Sequence, residues 1–207
     1  PTPFSNLIDR YLVASEDQGI KPFLILNKTD MLAEEDYPDV HQLVADYTYI
    51  GYDVLVASAQ TGEGVLELQR YLANHTSIFV GQSGVGKSSL LNHLQPEANM
   101  LIGPLSLGKE KGTHTTTASR LFHLEGGGVL IDSPGIREFA LTHLSADRVI
   151  DGFIDFHPYL GRCKFRDCKH NKEIGCELLA AVADGHILPI RLHNYRQIIL
   201  SQESDRT

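Results

Sequence analysis

Three cysteines and a histidine fall close together as Cys163-x4-Cys168-x-His170-x5-Cys176. Three thiolates and one imidazole complete a tetrahedral Zn²⁺ shell and leave no position for a substrate water, so the chemistry such a group offers is structural. A disulfide would leave one cysteine over and would suit an oxidising compartment; a disulfide or free thiols are the alternatives. A second group is a run of eight: Gly81, Gln82, Ser83, Gly84, Val85, Gly86, Lys87 and Ser88 match G-x-x-x-x-G-K-S, with Ser89 following. Glycines let backbone N–H groups curl around phosphates, and a helix starting at the end of the loop adds a favourable dipole. In that pattern Lys87 reaches the β- and γ-phosphates and Ser88 offers its hydroxyl to Mg²⁺.

An acid is the next part that phosphate chemistry needs. Asp132 ends an apolar run in Ile131-Asp132-Ser133-Pro134-Gly135. It is expected to hold Mg²⁺ through water, with the Gly135 N–H facing a γ-phosphate and coupling the loop to nucleotide state. Alone, D-x-P-G is a common turn; its spacing from the phosphate loop gives it a function. Between them lies Lys111-Gly112-Thr113-His114-Thr115-Thr116-Thr117, read either as a solvated linker or as a switch that donates a Thr hydroxyl to Mg²⁺. Thr115 and Thr116 are the better candidates, being nearer the following strand.

A phosphate loop does not choose between bases. Asn27-Lys28-Thr29-Asp30 does, if it sits at the C-terminal end of a strand. The Asp30 carboxylate can accept from the ring N–H and the exocyclic amine of guanine, a pattern that adenine lacks. Asn27 would brace the loop, Thr29 belongs to the same turn, and the Lys28 stem would cover the base. A second loop, Ser58-Ala59-Gln60-Thr61-Gly62, would offer the Ala59 N–H to the guanine carbonyl. An ATPase carrying the tetrapeptide by accident is the competing reading, and so is a nucleotide-gated binding module in which hydrolysis is incidental.

These groups need elements to hold them. Short apolar runs at 23–26, 54–57, 77–80 and 129–131, with 120–124, predict strands; 5–18, 64–72, 88–94, 176–184 and 192–202 predict helices. Alternating strands and helices predict an α/β domain, three layers with a mainly parallel sheet, over residues 1–156. A small, mostly helical, metal-binding domain is expected over 157–207, where cysteine, histidine and basic residues gather. The 207 residues, 42% hydrophobic and 21% charged, suffice for a buried core and exclude a disulfide-stapled miniprotein or a disordered chain. No apolar run approaches the roughly 20 residues that span a bilayer, and the N-terminus lacks a secretory leader's pattern. The net charge of −8 argues against a general polyanion binder, yet the charge is uneven. Residues 1–156 carry 10 Lys+Arg against 20 Asp+Glu, whereas 157–200 carry 7 against 4. Arg162, Lys164, Arg166, Lys169 and Lys172, opposed only by Asp167, read as a solvated loop or as a phosphate-backbone contact.

The motif order is permuted, with both base-reading loops ahead of the phosphate loop. A circularly permuted chain can build the same sheet and would bring the switch strand next to residues 157–207. Permuted NKTD, SAQTG and GQSGVGKSSL, then GTHTTT and DSPGIREF, then the Cys-Cys-His-Cys cluster resemble the bacterial RsgA (YjeQ) family, and the resemblance covers residues 5–200. That family consists of circularly permuted GTPases acting in late maturation of the small ribosomal subunit. The resemblance implies GTP hydrolysis stimulated by that subunit, GTP or GDP with Mg²⁺, and one structural Zn²⁺ at Cys163, Cys168, His170 and Cys176. It implies the small subunit and its rRNA as partners, a cytoplasmic location and no membrane; a monomer is the default. It also implies an N-terminal oligonucleotide-binding β-barrel, so a chain starting at Pro1 is expected to be a truncated member. Where Ras-type GTPases place a water-orienting Gln after the D-x-x-G glycine, this chain has Ile136. His114 is then the catalytic candidate, because family members similarly carry a His just before the Thr run; packing or RNA contact is its alternative role.

Overall fold

The computed structural model describes residues 3–96, 119–133 and 140–204. They fall into two compact units, one within Phe23–Tyr47 and Asp53–Arg137, the other within Thr2–Pro22, Thr48–Tyr52 and Glu138–Thr207.

The first unit is α/β. Its strands are β1 (Leu24–Leu26), β2 (Val54–Val56), β3 (Thr76–Phe79), β4 (Arg120–His123) and β5 (Val129–Asp132). β1 and β2 pair in parallel with Leu24 opposite Val54. β3 and β5 pair in parallel with Phe79 opposite Asp132, while β4 joins the far side of β5 antiparallel. Two of three pairings are thus parallel, as the apolar runs predict. The exception comes from the Gly126–Gly128 turn, too short for anything but a hairpin. Helices α3 (Val65–Leu72) and α4 (Lys87–Leu94) bury Leu68, Leu91 and Leu94 with Leu55, Phe79 and Leu130 in one core. A helix that the sequence reading did not pick out, α2 (Tyr37–Ile50), fills the connection between β1 and β2.

The second unit is helical, with no strand among its described residues: α1 (Ser5–Asp17), α5 (Ala146–Asp151), α6 (Glu177–Ala183) and α7 (Pro189–Ser204). Its core gathers Val13, Leu141, Leu144, Val149, Phe153 and Phe156 with Cys176, Leu178, Leu192 and Ile198. The change of composition near residue 156 therefore does not coincide with a change of core. Residues 141–156 and α1 supply apolar side chains to the same cluster as the cysteine-rich segment. α7 buries Arg191, Leu192, Asn194, Tyr195, Ile198 and Gln202 along one face. Its polar members are all bonded. Arg191 is 1% exposed and pairs with Asp9 and, at 2.8 Å, with Asp155. Asn194 donates to Asp9 at 2.7 Å, and Gln202 donates to the carbonyls of Leu141 and Leu144. A buried charge is tolerated only on such terms.

Candidate functional site

The phosphate loop runs from the end of β3 into α4. Gly86 is the helix N-cap at φ +98°, a left-handed conformation in which a side chain is strained. It also lies against the first base-reading loop, where a Cβ would strike the Asn27 amide nitrogen. Asn27 explains this closeness. Its Nδ2 donates to the Val85 carbonyl at 2.9 Å, and its Oδ1 accepts the Ala59 N–H at 3.1 Å. One side chain thus fastens the phosphate loop to both base-reading loops. The Ala59 N–H, expected to face a guanine carbonyl, is turned to Asn27 here, since a donor in this partly buried place takes an available acceptor. Gly86→Ala is expected to weaken nucleotide binding about tenfold or more, a strain of ~1–3 kcal/mol, while far-ultraviolet circular dichroism stays unchanged. Titration with a fluorescent GDP analogue reads the loss.

Lys28 takes φ +72° and turns the chain into the 3₁₀ turn Thr29–Met31. A non-glycine residue held there costs about 1 kcal/mol or more. The turn sets Thr29 Oγ1 donating to the Ala57 carbonyl at 3.2 Å and leaves Asp30 exposed at the mouth. Ser58, fully buried, donates its hydroxyl to Asp30 Oδ1 and accepts the N–H groups of Gln60 and Thr61 at 3.2 and 3.1 Å. Its contact here is with the carboxylate, so it fixes the acceptor. The carboxylate keeps further lone pairs free for incoming donors. A cleft of about 460 Å³ opens beside it, lined by Asn27, Lys28, Asp30, Met31, Ala59 and Gln60, and by Ser89, Asn92 and His93 of α4.

Lys87 is half-buried, and its Nζ donates to the carbonyls of Gly81 at 2.8 Å and Gln82 at 3.0 Å. Burial lowers its pKa, and the Asp132 charge opposes the drop. Asp132 is fully buried at the end of β5. Next to it, Ser133 donates its hydroxyl to the Phe79 carbonyl at 2.5 Å, tying the end of β5 to the strand that leads into the phosphate loop. Sequence reasoning missed Ser133, Met31, Asn92 and His93. The last two were within reach, since they lie three and four residues beyond Ser89 on one helix. Gln82, Ser83, Gly84, Ser88 and Ser89 sit in the loop and the first turn of α4. Gly135, His114, Thr115 and Thr116 lie outside the described residues.

The second candidate site is the Cys163, Cys168, His170 and Cys176 cluster, whose donor atoms all lie within 4.8 Å of one another. His170 Nδ1 stands 3.6 Å from the Cys163 sulfur and 3.4 Å from that of Cys176. A tetrahedral ion at ~2.3 Å from sulfur and ~2.0–2.1 Å from nitrogen sets that N···S edge at about 3.5 Å, so the four side chains fit such an ion. The loop is built to hold them. His170 takes φ +56°, Arg196 donates to the carbonyls of His170 at 2.9 Å and Asn171 at 2.8 Å, and the Lys164 N–H meets the Gly175 carbonyl at 2.9 Å. Burial lowers the His170 pKa, favouring the neutral imidazole that a metal requires. Glu173 accepts N–H groups of Lys169, Asn171 and Lys172. The backbone at Glu173 itself, then those three neighbours, hold its carboxyl down at about 2. Arg162, Lys164, Arg166, Lys169 and Lys172 are all exposed around this loop.

The family model described as RsgA GTPase matches residues 1–142. The chain belongs to the RsgA GTPase family. A protein of Pseudomonas putida named small ribosomal subunit biogenesis GTPase RsgA is 54% identical over 205 residues, 99% of this chain and 60% of that protein. A Pseudomonas fluorescens protein of the same name is 55% identical over 201 residues, 97% of this chain and 59% of its own length. The chain thus spans about 60% of the length of the RsgA relatives it matches. Among solved structures, YjeQ from Thermotoga maritima matches with a TM-score of 0.81 at 31% identity, over 98% of this chain and 67% of that one. YloQ, titled a circularly permuted GTPase, matches with 0.78 at 31% identity, over 100% of this chain and 65% of the other. The circularly permuted GTPase fold of the RsgA family is therefore the fold of this chain.

Proposed function

We propose that this chain hydrolyses GTP to GDP and phosphate, slowly alone and faster when docked on a maturing small ribosomal subunit. The observation that carries the reading is the Asn27 bridge, which joins a base-selecting loop and a phosphate loop into one site. Asp30 selects guanine, with its carboxylate aimed by Ser58. Lys87 exchanges the carbonyls of Gly81 and Gln82 for the β- and γ-phosphate oxygens. The exchange is favourable because a half-buried ammonium binds a multiply charged anion better than two neutral carbonyls. Backbone N–H groups of 81–88 and the start of α4 take the remaining phosphate charge. Ser88, Asp132 and a threonine at 115 or 116 would hold Mg²⁺, which when bound neutralises charge on the phosphate oxygens. Asp132 suits that task, being a buried acid already balanced against Lys87.

Ile136 cannot orient water, so His114 is assigned that work in the complex with the subunit. The Cys163, Cys168, His170 and Cys176 cluster is assigned one Zn²⁺, on soft thiolate donors and a closed shell. The exposed cations at 162–172, with Phe165 half exposed among them, favour rRNA as the docked surface. No helix of the described residues is long and apolar enough to cross a membrane, and the reading places the protein in the cytoplasm. Phosphate release from GTP with and without purified small subunits tests this. The subunit is expected to raise turnover by orders of magnitude in the wild type. In His114→Ala that rise is lost at unchanged GTP affinity. Equal turnover with and without subunits would overturn docking-dependent hydrolysis, and undiminished stimulation in the variant would remove His114 from its role.

A further inference from the structure

The end of β5 carries a hydrogen bond to which the proposed chemistry gives no part. The parallel ladder of β3 and β5 closes with Phe79 opposite Asp132. One residue further on, Ser133 is 7% exposed and donates its hydroxyl to the Phe79 carbonyl at 2.5 Å, across 54 residues of chain. A buried carbonyl needs a donor, and any well-placed hydroxyl would supply one. The position of this one gives it a further role. Ser133 is next to Asp132, so the bond fixes the strand end that carries the buried acid. Phe79 is the last residue of β3, and the phosphate loop starts two residues later at Gly81. The bond therefore sets the spacing between the acid and the entry to the loop.

Lys87 holds the same stretch from its other side, through the carbonyls of Gly81 and Gln82. In the reaction proposed above that hold is given up when Lys87 takes phosphate oxygens. The Ser133 bond is different. Its partners, a buried hydroxyl and a strand carbonyl, are not among the groups assigned to the nucleotide, so it lasts when the site fills. It then keeps Asp132 in place against Ser88 at the start of α4. The two halves it joins act on each other, since the buried Asp132 charge is felt by the Lys87 ammonium. A small loss of register here falls unequally on the two ligands. Phosphates are shared among many backbone N–H groups and tolerate a shift. Mg²⁺ demands near-ideal octahedral geometry and does not.

We propose that Ser133 is a positioning residue for Mg²⁺: its bond to Phe79 holds Asp132 at the spacing from the phosphate loop that the ion requires. The inference rests on the nucleotide reading above, and the experiment separates the two. Release of a fluorescent GDP analogue from the full chain is followed by stopped flow over a series of Mg²⁺ concentrations and in EDTA. In the wild type Mg²⁺ is expected to slow release. In Ser133→Ala the Mg²⁺ concentration that gives half of this slowing is expected to rise about tenfold, the usual size of an effect on a residue that orients a metal ligand. Release in EDTA is expected to stay at the wild-type rate. Ser133→Thr keeps the hydroxyl and is expected to restore the wild-type midpoint. A hydroxyl that only braces the loop would behave otherwise: Ser133→Ala would speed release by one factor with and without Mg²⁺, and that result overturns the proposal. So does an unchanged midpoint. Ser133→Cys, which keeps the volume and weakens the donor, stands in if the alanine variant does not fold; its midpoint is expected to rise several-fold, and no rise overturns the proposal. A wild type that does not bind the analogue overturns the function proposed above, and this inference with it.

Discussion

Asp30→Asn is expected to lower GTP affinity by roughly 100-fold to 1,000-fold and to leave ATP affinity where it was. The change alters one atom's bonding character and little else. Asp30 Oδ1 keeps the Ser58 hydroxyl in either residue, so the side chain stays aimed at the mouth of the cleft. What changes is the pattern offered to the base. Two acceptors face the ring N–H and the amine of guanine in the wild type; in the variant an amide N–H faces that amine, donor against donor. Sites that lose a buried polar match discriminate by such large factors. Xanthine carries a carbonyl where guanine has the amine, so xanthosine triphosphate is expected to bind the variant better than GTP does. Competition of GTP, ATP and xanthosine triphosphate against a fluorescent guanine nucleotide measures all three. An unchanged preference for GTP over ATP would mean that base selection lies elsewhere, with Asn92 and His93 of α4 as the next residues to change.

The same residues mark how far the sequence alone could be read. Strands were legible because buried parallel strands are continuous apolar runs: the expected 77–80 is offset by one residue from Thr76–Phe79, and the expected 129–131 stops one residue short of Val129–Asp132. The phosphate loop and the NKTD turn were legible because backbone geometry demands their glycines and polar residues in order. The Asn27 bridge to Val85 was not, since 58 residues separate the partners and no local pattern records a tertiary hydrogen bond. α2 was illegible for a different reason. Pro38 stands at its second position, where a helix accepts proline but a reader expects a turn, and Tyr47 is its one buried residue. α7, Pro189–Ser204, extends past both ends of the expected 192–202, and its inward face carries Arg191, Asn194 and Gln202. Polar residues break the apolar period, and only their partners on α1 and at 141–155 reveal that the face is buried. The same partners explain why α1, first in the chain, belongs with the last helix.

Removal of the proposed Zn²⁺ is the second large effect expected, and its size follows from where the cysteines sit. Cys176 is 3% exposed within the core of the second unit, and Cys163 and Cys168 pack against that core. Cys176 is also the N-cap residue of α6, and the Glu177 N–H donates to the Cys163 sulfur at 3.4 Å. The cluster thus fixes both the loop 163–176 and the start of a core helix. Structural Zn²⁺ contributes ~10–16 kcal/mol of apparent binding energy in small zinc domains, comparable with the ~5–15 kcal/mol that holds a whole domain folded. Cys176→Ser, or prolonged chelation, is expected to abolish the cooperative thermal transition of the second unit or to lower its Tm by more than about 10 °C. The first unit has its own core, built from Leu55, Leu68, Leu91 and Leu130, so guanine nucleotide binding is expected to survive with less than about a threefold change. Elemental analysis should find one zinc per chain in the wild type, and a thiol reagent should find three reactive cysteines only after the metal is removed. A chain that keeps its stability after chelation, with all three thiols reactive from the outset, would mean that hydrogen bonds and packing alone hold the loop. The short N···S distances at His170 would then reflect the Arg196 clamp on the loop's carbonyls rather than an ion, and Arg196→Ala would become the variant that unfolds it.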